Sequence, residues 1–110
     1  MGDRSRPGSD PAVTLPLRIR VEASAELNAA WNWYENQREG LGDDLLGCVD
    51  AAFAAVARAP ELYVRVDGPI RRALVRRFPY IVLFREYPEY IAILAVFHTS
   101  RNPQEARGRG

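Results

Sequence analysis

The last third of the chain restricts the fold more than any other part. Residues 80–86 and 90–98 are rich in Ile, Val, Leu and Phe and apolar on both faces, with Pro88-Glu89 turning between them. Two-sided apolar runs of that length are what central strands of a sheet require. Residues 70–77 form a further strand in which each face mixes apolar residues with arginine, and Phe78-Pro79 makes a tight connection to the next. Three consecutive strands joined by short turns predict an antiparallel meander.

Arginine crowds this region. Residues 58–85 carry seven arginines against Glu61 and Asp67, a local charge of +5. Residues 22–50 carry seven carboxylates against Arg38, a local charge of −6. The net charge is only +1, so the chain is polarised into an acidic first half and a basic strand region. Such separation shapes encounters with partners more than it shapes folding. It predicts a cationic surface facing an acidic or phosphate-bearing partner. All 15 basic residues are arginine, which rules out any mechanism that needs a lysine. A GC-rich genome accounts for that bias, and so does selection for a planar, bidentate anion clamp.

The 110 residues suffice for one core. The longest apolar run, residues 91–97, is far short of the roughly 18 residues that suggest a membrane span. The N-terminus shows no apolar segment of a secretory signal, and Cys48 has no partner for a disulfide or a zinc cluster. A cytoplasmic protein without cofactor or metal is expected. Residues 1–14 read as a disordered tail, 15–103 as the domain and 104–110 as a flexible tail.

Leu17, Ile19 and Val21 alternate with Arg18, Arg20 and Glu22, a half-buried strand. Ser24 is placed to cap a helix from Ala25, whose apolar face is Leu27, Ala30, Trp31 and Tyr34. Gly40 ends it. Asp43 and Asp44 open a second helix as capping groups, with the stripe Leu45, Val49, Ala52, Phe53 and Val56, and Pro60 stops it. The short link predicts an antiparallel helical hairpin. The expected architecture is α+β: an N-terminal strand, the hairpin, then a three-stranded antiparallel meander, forming one mostly antiparallel sheet with the helices on one face.

Neither a metal-ligand cluster, nor a nucleotide loop, nor a Ser-His-Asp set can be assembled. Two features could carry function. One is the arginine set Arg71, Arg72, Arg76, Arg77, Arg85 and Arg101, which is either an anion-binding surface or ordinary charge protection of strand edges. The other is His98 at the end of the last strand, either a proton-transfer group or a histidine satisfied by its surroundings. Trp33 lies beside the first helix's apolar stripe, as a partner-contact residue or an amphipathic flank.

Residues 17–103 resemble the RelE/ParE superfamily of toxins from bacterial type II toxin–antitoxin systems. The resemblance is carried by Ala25-Glu26-Leu27-Asn28-Ala29-Ala30-Trp31-Asn32-Trp33-Tyr34-Glu35, Gly40-Leu41-Gly42 and Val66-Asp67-Gly68-Pro69-Ile70-Arg71-Arg72-Ala73-Leu74-Val75, followed by Arg77-Phe78-Pro79-Tyr80 and Leu94-Ala95-Val96-Phe97-His98. It implies a small α+β toxin held in a hetero-oligomer by a cognate antitoxin. In the ParE-like branch the target is DNA gyrase, and Arg71, Arg77, Arg85, Trp33 and Tyr80 are the candidate partner contacts. In the RelE-like branch the toxin cuts mRNA on the ribosome, with His98 as acid or base and Arg72, Arg76 and Arg101 on phosphate. A homologue without toxicity that only binds antitoxin is the third reading. Ile81 stands at a position that is often basic in the nuclease branch, and no tyrosine follows His98. Those departures favour the ParE-like reading, although Gln104-Glu105-Ala106 stands where that branch often has a tryptophan.

Overall fold

The computed structural model describes residues 14–100. Strand β1 (Leu17–Ile19) leads into helices α1 (Val21–Gln37) and α2 (Leu41–Arg58). A 3-10 turn (Pro60–Leu62) precedes strands β2 (Arg65–Asp67), β3 (Ile70–Leu74), β4 (Tyr80–Glu86) and β5 (Ile91–His98). One sheet has the order β1-β5-β4-β3-β2. β1 runs parallel to β5, with Leu17 opposite Ile91, and the remaining pairs are antiparallel. The fold class is the expected α+β.

β4 and β5 are apolar on both faces because each face is buried in its own cluster. Val82, Phe84, Ile93 and Val96 face the hairpin and pack with Leu45, Val49 and Val56 of α2, all buried. Burial of each such side chain stabilises by about 1.5–3 kcal/mol. On the opposite face Leu83, Ala92, Leu94, Ala95 and Phe97 form a second buried cluster with Ile70. A bulge in β5, opposite Leu83 and Phe84 of β4, leaves Leu94 unopposed, so Leu94 and Ala95 both fall on this helix-free side.

Three expectations change. α1 begins at Val21, four residues before Ala25, and Ser24 lies inside it. Val21 is 81% exposed and has left the sheet, so the alternation that suggested a longer strand is coincidental at its last member. Fully buried Ala23 instead belongs to the core cluster between the hairpin and the sheet. Second, β3 stops at Leu74. Residues 75–79 form a turn closed by Val75 N–H to the Tyr80 carbonyl and Tyr80 N–H to the Phe78 carbonyl, with Arg77 at φ 72°. Arg76 and Arg77 are therefore turn residues. Third, β2 is an additional strand, joined to β3 through Gly68 at φ 55°, which makes the meander four-stranded.

The hairpin link depends on two glycines and a carboxylate. Gly40 adopts φ 89° at the start of α2, a conformation that suits glycine. The Glu35 carboxylate accepts the N–H groups of Gly40 and Gly42, each at 2.9 Å. It places negative charge at the positive end of α2. Asp43 and Asp44 lie in that first turn without capping it: Asp43 accepts the Trp31 indole N–H at 3.0 Å, and Asp44 approaches Arg77. The readings of residues 1–13, 104–110 and Arg101 fall outside the described residues.

Candidate functional site

Where the last turn of α1 crosses the end of the β4–β5 pair, aromatic side chains from both layers meet. Register sets Tyr80 opposite His98, and their rings stand edge to face at 5.4 Å. Tyr34 meets Tyr80 at 6.1 Å and Phe78 at 5.1 Å, and Trp33 meets Tyr34 at 4.9 Å, all edge to face. Trp33 is 58% exposed, so a large apolar ring forms the outer wall. The cleft beneath it has a volume of about 360 Å³ and continues along α1 over Ala25 and Ala29 to Val96. Small alanines open the floor while Trp33, Tyr80 and His98 close one end.

Two polar groups have fixed roles there. The Glu26 carboxylate accepts the Val96 N–H at 3.0 Å, tying α1 to β5 next to the bulge. The Ser100 N–H donates to His98 Nδ1 at 3.1 Å, and the Ser100 hydroxyl lies 2.9 Å from the same nitrogen. A ring nitrogen that accepts a backbone N–H carries no proton, so the neutral ring holds its proton on Nε2. His98 can donate one hydrogen bond to a bound group, and Trp33 and Tyr80 can supply aromatic contact.

The arginines expected to form one cationic platform are divided. Arg71, opposite Phe84, donates from Nη1 to the Tyr63 carbonyl at 2.6 Å and to the Glu61 carbonyl at 3.4 Å. It straps the 3-10 turn to β3. Arg72, opposite Leu83, is exposed on the helix-free face. Arg85 lies over the Tyr87 ring at 4.8 Å, Tyr87 stacks on Tyr90 at 4.8 Å, and Arg18 lies over Tyr90 at 4.4 Å. Arg76 and Arg77 line a separate groove beside α2, and Arg77 reaches Asp44 only at 3.9 Å, with both side chains exposed. None of these lines the cleft of His98, which collects Trp33 and Tyr80 from the expected residues.

The sequence reading missed Tyr34, Glu26 and Glu35 as site-building residues. Tyr34 was legible only as a core position. The Glu26 contact spans 70 residues and leaves no local signature. Among the described residues no group of three or more His, Cys, Asp or Glu is placed to hold a metal ion, and no helix is long and apolar enough to cross a membrane.

Comparison with known proteins bears on this architecture directly. Residues 17–103 match the family described as "ParE toxin of type II toxin-antitoxin system, parDE". The chain is 30% identical over 92 residues to toxin ParE2 of Mycobacterium tuberculosis, recorded in strains CDC 1551 and H37Rv, covering 83% of this chain and 88% of that protein. A solved structure described as the chromosomal ParDE TA system from P. aeruginosa superposes with a TM-score of 0.68 at 16% identity, over 77% of this chain and 96% of that one. The match along almost the whole described domain, together with the helical hairpin packed on a five-stranded sheet, shows that this chain belongs to the ParE toxin family of type II toxin–antitoxin systems.

Proposed function

We propose that this ParE-family toxin is neutralised in a hetero-oligomer by a cognate antitoxin and, when released, inhibits DNA gyrase. The observation that carries the reading is the exposed Trp33 at the mouth of the cleft with Tyr80 and His98, on a chain of this family. Tryptophan and tyrosine over a pocket are the side chains that dominate protein–protein contact energy. A toxin that grips a protein target needs such an anchor, whereas a nuclease needs cations around its proton-transfer group. Arg72 and Arg76 lie outside the lining of the His98 cleft, which supports the inhibitor reading over mRNA cleavage by His98 with those two arginines.

The test is a supercoiling assay with purified gyrase and purified toxin, run beside a translation extract. Inhibition of supercoiling with unaltered mRNA supports the proposal. Normal supercoiling with codon-positioned mRNA cuts defeats it, and inertness in both assays leaves only an antitoxin-binding homologue.

A further inference from the structure

Strand register brings together three arginines that lie far apart in the chain. Arg18 of β1 and Arg85 of β4 both stand opposite Ala92 of β5, and Arg72 of β3 stands opposite Leu83 of β4. Ala92 and Leu83 belong to the buried cluster on the helix-free face, so all three arginine side chains leave the sheet on that face. Neighbouring strands lie about 4.8 Å apart, which spaces the three Cα atoms by roughly 8–10 Å along a diagonal of the sheet.

Two of the three are held by aromatic rings. Tyr87 and Tyr90 flank the turn between β4 and β5 and stack on each other, with Arg85 over Tyr87 and Arg18 over Tyr90. Cation–π attraction holds a guanidinium without using a hydrogen-bond acceptor, so exposed Arg18 keeps its N–H groups for an oxyanion. Arg72 is exposed, and among the described residues its side chain has no bonding partner. Two carboxylates lie near the row, Asp67 opposite Ile70 and Glu89 at the turn, and the three arginines outnumber them. The exposed carboxylates of the hairpin, among them Glu22, Glu39 and Asp50, are on the other side of the sheet. A polyanion is therefore repelled by one side of the domain and drawn to the other.

We propose that the helix-free face binds the phosphate backbone of duplex DNA while the Trp33 cleft holds gyrase. The inference rests on the gyrase reading above and adds a second contact, with the DNA that the enzyme carries. A guanidinium suits phosphate because its planar fork bonds two oxygens at once. Backbone contacts carry no sequence information, so the toxin would meet gyrase at any site on DNA. The two surfaces do not compete. The cleft is at the His98 end of β5 on the hairpin side, and Arg18 and Arg85 lie near its Ile91 end on the opposite side. β5 is 8 residues long, roughly 25 Å. Joining a DNA contact to a protein contact raises affinity for the gyrase–DNA complex above that for either part. Duplex is favoured over single strands because Tyr87 and Tyr90 are half-buried and stacked on each other, whereas single-strand binders offer open rings to the bases.

The experiment uses the whole toxin and a fluorescently labelled duplex of mixed sequence, with binding read by anisotropy across a salt series. The parent should bind at about 1–100 μM, and log affinity should fall against log salt with a slope of about −2 to −3. Arg72→Glu and Arg18→Glu should each weaken binding about fivefold or more and flatten the slope by about one. Arg72→Gln, which keeps the stem and removes the charge, should show the same flattening in a protein that melts like the parent. Arg58→Glu makes the same charge change on α2 and should leave binding within about twofold. Equal losses for Arg58→Glu and Arg72→Glu overturn the proposal, as does a parent that leaves the duplex unbound at low salt or binds single-stranded RNA about tenfold more tightly. In the supercoiling assay Arg72→Glu should need about fivefold more toxin for half-inhibition. Gyrase inhibited equally by parent and Arg72→Glu removes the DNA contact and leaves the gyrase reading intact. Arginine-dependent duplex binding by a toxin that never inhibits supercoiling keeps the DNA-binding face and removes gyrase as its setting.

Discussion

Gly42 packs so closely beneath Trp31 that a Cβ at position 42 would lie 2.8 Å from the indole ring and from the Trp31 carbonyl oxygen. Backbone as well as side chain would have to move to admit a methyl group. Gly42→Ala should therefore lower stability by about 1–3 kcal/mol, the usual cost of overpacking, although alanine is the better helix former. Gly47→Ala, with open space around it, should raise stability by up to about 1 kcal/mol. Urea denaturation of the two variants, five positions apart on one helix, should move the midpoint in opposite directions.

The Glu35 carboxylate holds two N–H groups at the start of α2. Glu35→Ala should cost about 1–2 kcal/mol, through loss of the cap and of the favourable charge at the helix terminus. Glu35→Gln, with one oxygen left to accept, should recover part of that loss. Thermal melts of the three proteins at equal salt decide the matter.

Arg71 and Arg72 are neighbours in sequence with opposite circumstances. Loss of the Arg71 hydrogen bonds in Arg71→Ala should destabilise by about 1–2 kcal/mol, since the Tyr63 carbonyl loses a charged donor. Arg72→Ala, at an exposed site on the helix-free face, should change stability by no more than about 0.5 kcal/mol. A melting difference of similar size for both would contradict the strap described for Arg71.

Trp33→Ala should separate folding from function. The ring is mostly solvent-exposed, so stability should fall by less than about 1 kcal/mol. If Trp33 anchors the target, inhibition of supercoiling should weaken about 30-fold or more. An unchanged inhibition curve would remove the aromatic cleft from the mechanism.

The parts of this fold legible in the sequence are those fixed by burial on a regular period. The α2 stripe of Leu45, Val49, Phe53 and Val56 lies where its spacing put it, and β4 and β5 are apolar on both sides because both of their faces are buried. Boundaries set by a single tertiary contact were not legible. Ser24 has the chemistry of a cap, yet the helix starts earlier and carries Ala23 into the core. β2 is three residues long, too short for a pattern, and its one signal was the Asp67-Gly68 pair at the turn. Charge totals showed that arginines cluster along the chain but not that the turn at 75–79 carries two of them away from the strand. The cleft was half legible. Trp33 and His98 stood out by type, whereas their convergence with Tyr34 and Tyr80 depends on where α1 crosses the sheet.

The parallel pairing of β1 with β5 has a bearing on synthesis. Leu17 and Arg18 are among the first described residues to be translated, and their neighbours in the sheet, Ile91 and Ala92, are among the last. Closing so long a loop is slow, and it has to wait for the final strand. The hairpin of α1 and α2 likewise lacks the layer it packs on until β4 and β5 exist. Until β5 has left the ribosome, a nascent copy therefore lacks both the layer its hairpin packs on and the strand that β1 pairs with.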